Sequence, residues 1–89
     1  MKNQELIKLR KEIDEIDTSL MSLLDKRAHV AKAIGRAKFR EKLPILNKKR
    51  EEEILVNTMV FSNSGFVNSI FIKILEESKK LQEEIWKLE

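Results

Sequence analysis

Leu6, Leu9, Ile13, Ile16, Leu20 and Leu23 recur at alternating steps of three and four residues, and Val30, Ile34 and Ala37 continue the series. A seam kept this long predicts one helix over residues 5 to about 41. At 1.5 Å per residue it spans about 55 Å, longer than a compact domain of this size. Gly35 is its weak point, costing about 1 kcal/mol relative to Ala. Pro44, in the connector KLPILN, cannot continue a helix and biases Leu43 towards an extended backbone. Asn47 then suits the N-cap of a second helix over 48–61, whose first turns are rich in acids. A break at FSNSG follows, with Asn63 or Ser64 as the cap of a third helix over 64–88. Its apolar series is Val67, Phe71, Ile74, Leu81, Ile85 and Leu88.

The interruptions of these patterns carry the chemistry. Arg27 falls on the seam of helix 1, where a guanidinium is costly to bury unless something negative meets it. Ser78 fills the missing slot in helix 3, and Gln82 follows one turn later on nearly the same face. On helix 2 the spacing puts Asn47, Arg50, Glu51, Ile54 and Phe61 on one face, with the polar residues at the helix start. Lys38 lies eleven residues after Arg27, about 20° round the axis and 16 Å along it. Arg10 is about 25 Å from Arg27 and rotated by about 100°, so it cannot reach the same small molecule from the same helix. It could reach a pocket in an antiparallel partner chain. Any one of these cations alone reads as a surface ion pair. Their joint placement suits a small, multiply negative ligand, gripped by paired Arg donors and a Lys point charge.

Composition narrows the alternatives. Eighty-nine residues make one thin-cored domain. The chain has no Cys and one His, which leaves no disulfide frame, thiolate nucleophile or His-cluster metal site. His29 lies off the seam and reads as solvated. Eighteen Lys and Arg are interspersed with fifteen Asp and Glu, a mixed surface rather than a nucleic-acid stripe. No apolar run spans a bilayer, and MKNQELIKLRKE holds no apolar signal core, so no membrane partner and a cytoplasmic location are the default expectations. The expected architecture is all-α: three helices per chain, one long, one short and one medium. Helix 1 is about as long as the other two together, and a second copy is the simplest cover for the rest of its stripe. An intertwined homodimer is therefore expected.

The stretches LRKEIDEID (9–17), LLDKRAHVAKAIGRAK (23–38), PILNKKREEEIL (44–55) and ILEESKKLQ (74–82), in this order on three such helices, resemble the all-helical chorismate mutase family over essentially the whole chain. The resemblance implies an intertwined homodimer that rearranges chorismate to prephenate, in aromatic amino acid biosynthesis, without a cofactor. It implies that Arg27 binds a substrate carboxylate and that Arg10 of the other protomer binds carboxylate as well. Lys38 and Gln82 would approach the ether oxygen, Glu51 would hold the ring hydroxyl, and Arg50 and Ser78 would seat the ring carboxylate. Asn47 stands where the family often has an Asp on the same hydroxyl, and helix 2 with its following loop is shorter than usual. An isochorismate pyruvate lyase on the same fold is the nearest alternative. A non-enzymatic dimerisation or nucleic-acid-binding module is the alternative of another class; it leaves Arg27 and Ser78 on the seam unexplained.

Overall fold

The computed structural model describes residues 2–89. Three α-helices and one short 3-10 turn make up the chain, and no strand occurs among the described residues. Helix α1 runs over Lys2–Glu41, α2 over Lys48–Asn57 and α3 over Ser64–Leu88, with the 3-10 turn at Thr58–Val60. The molecule measures 61 × 27 × 13 Å, and its long axis is that of a 40-residue helix. No helix is long and apolar enough to cross a membrane among the described residues.

The end of α1 is built before Pro44 is reached. Lys42 takes φ 59°, the left-handed conformation that usually belongs to Gly. Leu43 N–H donates to Lys38 O at 2.8 Å, and Lys42 N–H to Phe39 O at 3.2 Å. This Schellman turn satisfies two of the last carbonyls of α1 and sends the connector back over Lys38. Asn47 caps α2 as its sequence position suggests, accepting the Arg50 N–H at 3.0 Å. Asn63 stands at the N-cap of α3, but its side chain makes no capping bond; its backbone carbonyl accepts the Val67 N–H instead.

Helix α2 is shorter in α geometry than the residue pattern suggests. At Thr58 the chain tightens into the 3-10 turn, which changes the phase of the side chains that follow. Phe61 consequently leaves the face shared by Asn47, Arg50, Glu51 and Ile54 and is 58% exposed. Thr58, itself buried, donates to Leu55 O at 2.6 Å and accepts from Asn68 Nδ2 at 3.0 Å, latching this turn to α3.

Helix α3 packs only on the C-terminal half of α1, running in the same direction. Arg27 meets Ser78, Gly35 meets Gln82, and Phe39 meets Trp86 edge to face with ring centroids 5.8 Å apart. Ala31, Leu75 and Ile85 form the buried apolar core, a thin one for this length of chain. Towards the N-terminus, α1 has no neighbour from another helix among the described residues. Leu6, Leu9, Ile13, Ile16, Leu20 and Leu23 stand 46 to 63% exposed.

Candidate active site

The polar residues that interrupt the apolar pattern converge on one cleft. It lies between the C-terminal half of α1, the start of α2 and the middle of α3, with a volume of about 340 Å³. That is within the range of small-molecule sites, roughly 300–1,000 Å³. From α1 come Arg27 and Lys38, one near each end, separated by Val30, Ala31 and Ile34. The connector and α2 add Ile45, Asn47, Arg50, Glu51 and Ile54, and α3 adds Leu75, Ser78, Lys79 and Gln82. Four cations face one carboxylate on a partly apolar wall, an electrostatic setting for an anionic ligand. Arg10 is exposed on the free part of α1 and does not line this cleft.

Most of the polar side chains are held by a specific partner. Arg27 donates through Nη1 to Ser78 Oγ, which in turn donates to Ile74 O at 2.8 Å. This ties the guanidinium to α3 and leaves most of its five donors unspent. Lys38 Nζ donates to Ile45 O at 2.6 Å, so the returning connector fixes the ammonium at the cleft's edge. Because Asn47 spends its Oδ1 on the cap of α2, it can offer a ligand only the donors of its Nδ2. Glu51 pairs with Lys79 across the α2–α3 gap, Nζ to Oε2 3.1 Å. Arg50 leans along its own helix to Glu53 at 3.4 Å and is 63% exposed. His29 pairs with Asp25 at 3.6 Å on the exposed side of α1, away from the cleft.

Gln82 is the most enclosed of the set, 7% exposed, and its Oε1 is buried without a hydrogen-bond partner among the described residues. A buried orphan acceptor costs about 1–3 kcal/mol. The amide oxygen is thus unspent at a residue that lines the cleft. Gly35 explains how it gets there. A Cβ at this position would stand 3.1 Å from Gln82 Cα and Cγ, so a side chain here would press α3 away by a few tenths of an ångström. One turn further on, Trp86 Nε1 donates to Gly35 O at 2.8 Å and locks the crossing.

Three contributors escape the sequence pattern. Lys79 sits one step off the apolar series in a Lys-Lys pair and reads there as solvated. The Ile45 carbonyl is backbone. Gly35 looks like a flaw in a helix, and is instead a point of close approach. A glycine facing a polar seam position on another helix is the one signal that could have marked it.

Comparison with known proteins places the chain in a family. The family model described as chorismate mutase type II matches residues 9–83. A bifunctional chorismate mutase/prephenate dehydratase of Aquifex aeolicus (strain VF5) is 51% identical over 51 residues, covering 57% of this chain and 14% of that protein. One from Buchnera aphidicola subsp. Baizongia pistaciae (strain Bp) is 31% identical over 78 residues, covering 82% of this chain and 21% of that protein. The chain thus spans less than a quarter of the length of these relatives. Among solved structures, a conserved hypothetical protein from Pyrococcus furiosus superposes with a TM-score of 0.77 at 49% identity, covering 86% of this chain and 93% of that one. Three helices of these lengths, the cleft they enclose and a family match across most of the residues lead to one conclusion: the chain belongs to the chorismate mutase type II family.

Proposed function

We propose that the protein converts chorismate to prephenate, and that the cleft between α1, α2 and α3 is where it does so. The observation that carries this reading is the convergence of Arg27, Lys38, Asn47, Arg50, Glu51, Ser78 and Gln82 on one cleft, in a chain of this family. In this rearrangement one ether C–O bond breaks while one C–C bond forms in the same molecule. No proton is transferred and no nucleophile is required. The protein has two tasks: hold the dicarboxylate folded with its reacting carbons close, and meet the negative charge that grows on the ether oxygen.

Arg27, braced by Ser78, grips one carboxylate through its unspent donors. Lys38, anchored on Ile45 O, and Gln82, seated by Gly35, supply donors already in place at the ether oxygen. Glu51 accepts from the ring hydroxyl, and Asn47 offers it an N–H. Arg50 and Ser78 seat the ring carboxylate. No cofactor enters the reaction.

Arg10 belongs to this proposal through a second copy of the chain. The working form is an intertwined homodimer in which the exposed stripe of α1 lies on the partner. Six half-exposed Leu and Ile side chains support this. Covering them is worth roughly 5–9 kcal/mol per chain before the entropy of association. A groove lined by Leu24, Ala28, Ile70, Ile74 and Leu81, between α1 and α3, offers further apolar surface to that partner. Arg10, on the same length of α1, then enters the partner's cleft and closes its open side.

A continuous assay of chorismate loss, with the product identified, tests the reading. Prephenate as the product is the expected result. Release of pyruvate from isochorismate, with chorismate untouched, would replace it with the lyase reading. Inertness towards both, together with protection against heat by DNA, would leave only the binding-module reading.

A further inference from the structure

We propose that Lys79 is a positioning residue that aims the Glu51 carboxylate at the substrate's ring hydroxyl; the proposal rests on the mutase reading above. Three other ion pairs, Arg50–Glu53, Lys73–Glu76 and Lys80–Glu77, and the His29–Asp25 contact each join residues three or four apart on one helix, with side chains 52 to 78% exposed. Such pairs contribute little. Lys79–Glu51 differs in both respects. It joins two helices at 3.1 Å, and its side chains are only 31% and 25% exposed. Shielding of that kind weakens screening by salt.

The wall that carries Glu51 needs such a tie. Helix α2 has no buried residue of its own. Its entry is held by Lys38 on Ile45 O, and its exit by the Thr58–Asn68 latch. Glu51 stands between these two anchors. Lys79 engages Oε2 and leaves Oε1 to accept a hydrogen bond from the hydroxyl.

Charge gives the second argument. Arg27, Lys38 and Arg50 line the same cleft, and each would attract a free carboxylate. A Glu51 released from Lys79 would swing towards them and no longer stand ready for the ring hydroxyl. By taking Glu51 first, Lys79 keeps the acceptor for the hydroxyl apart from the cations for the carboxylates.

The test uses Lys79→Met, with Lys79→Gln as a second neutral variant and Lys79→Arg as the conservative one. Each is assayed with chorismate and with an analogue lacking the ring hydroxyl, after thermal melting confirms folding. With chorismate, the neutral variants should lose about tenfold in kcat/KM, mostly through KM, as expected for a charge-assisted hydrogen bond made in ground and transition state alike. With the analogue the loss should stay within about twofold, because no hydroxyl is there to be held. Lys79→Arg should retain most of the activity. Equal losses with both substrates would overturn the proposal, since loosening of α2 would harm both alike. No loss with chorismate would overturn it as well. A wild-type protein inert towards chorismate would remove the mutase reading itself, a failure visible before any variant is made.

Discussion

The two halves of α1 share one pattern and meet different fates. From Leu6 to Leu23 the apolar seam is unbroken, and every member stands half exposed. From Arg27 to Lys38 the seam is interrupted by charge, yet this is the half that α3 covers and that lines the cleft. Apolar regularity marks surface that any apolar partner can cover, including a second copy. Irregularity marks the place where one geometry is required, because a buried cation demands a specific counterpart. The candidate site therefore sits where the heptads are imperfect.

If that division is right, the largest effects come from the interrupted half. On the proposed reading, Lys38→Ala removes a fixed donor from the ether oxygen. Donors of this kind are worth roughly 3–4 kcal/mol, so turnover should fall by two to three orders of magnitude. Steady-state kinetics on chorismate checks this, and near-wild-type turnover would strip Lys38 of its role. Gln82→Glu tests the second donor through pH. A neutral amide donates at any pH, so the wild type should be flat from pH 5 to 7.5. The introduced carboxyl donates only when protonated, and its ordinary value is about 4.3. Above its own value the variant should therefore lose about tenfold per pH unit as the pH rises, and recover as it falls. A pH-independent variant would show that residue 82 does not face the developing charge.

The regular half is tested by mixing. Arg10→Ala and Arg27→Ala should each be nearly inactive alone. Co-refolded in equal amounts, half of the dimers pair one of each. Every such dimer then holds one site with both arginines intact and one with neither. About one quarter of wild-type activity should return. An average of the two parent activities would mean that Arg10 does not cross into the partner's cleft.

Much of this was readable from the chain, for a physical reason. Helix periodicity places residues on faces, so Arg27 and Lys38 on α1, Asn47, Arg50 and Glu51 on α2, and Ser78 and Gln82 on α3 each fall on an inward face by spacing alone. What spacing cannot supply is the distance between helices. Lys79 lies just beside Ser78, and only the closeness of α2 turns it from a solvated lysine into the partner of Glu51. Phe61 fails in the opposite sense. Its spacing fits the inward face, but the 3-10 turn at Thr58 resets the phase before it is reached. The end of α1 is a third case. Pro44 marks the break, while the left-handed turn at Lys42, which aims the connector at Lys38, has no glycine to announce it.

The smallest effect separates close packing from helix propensity. Gly35 and Gly65 both lie within helices, and in isolation either would gain up to about 1 kcal/mol on becoming Ala. At Gly65 nothing lies within 4 Å of the new methyl, so the gain should appear as a slightly raised Tm with unchanged activity. At Gly35 the methyl would meet Gln82 Cα at 3.1 Å, a backbone atom that cannot rotate away. Overpacking of this kind costs about 1–3 kcal/mol, which cancels or exceeds the propensity gain. On the proposed reading the same displacement moves the Gln82 amide from the ether oxygen, so kcat should fall more than KM rises. Thermal melts and kinetics on the two variants settle the point. If Gly35→Ala stabilises the protein as Gly65→Ala does, with kcat intact, then the close approach of α3 is not what seats Gln82.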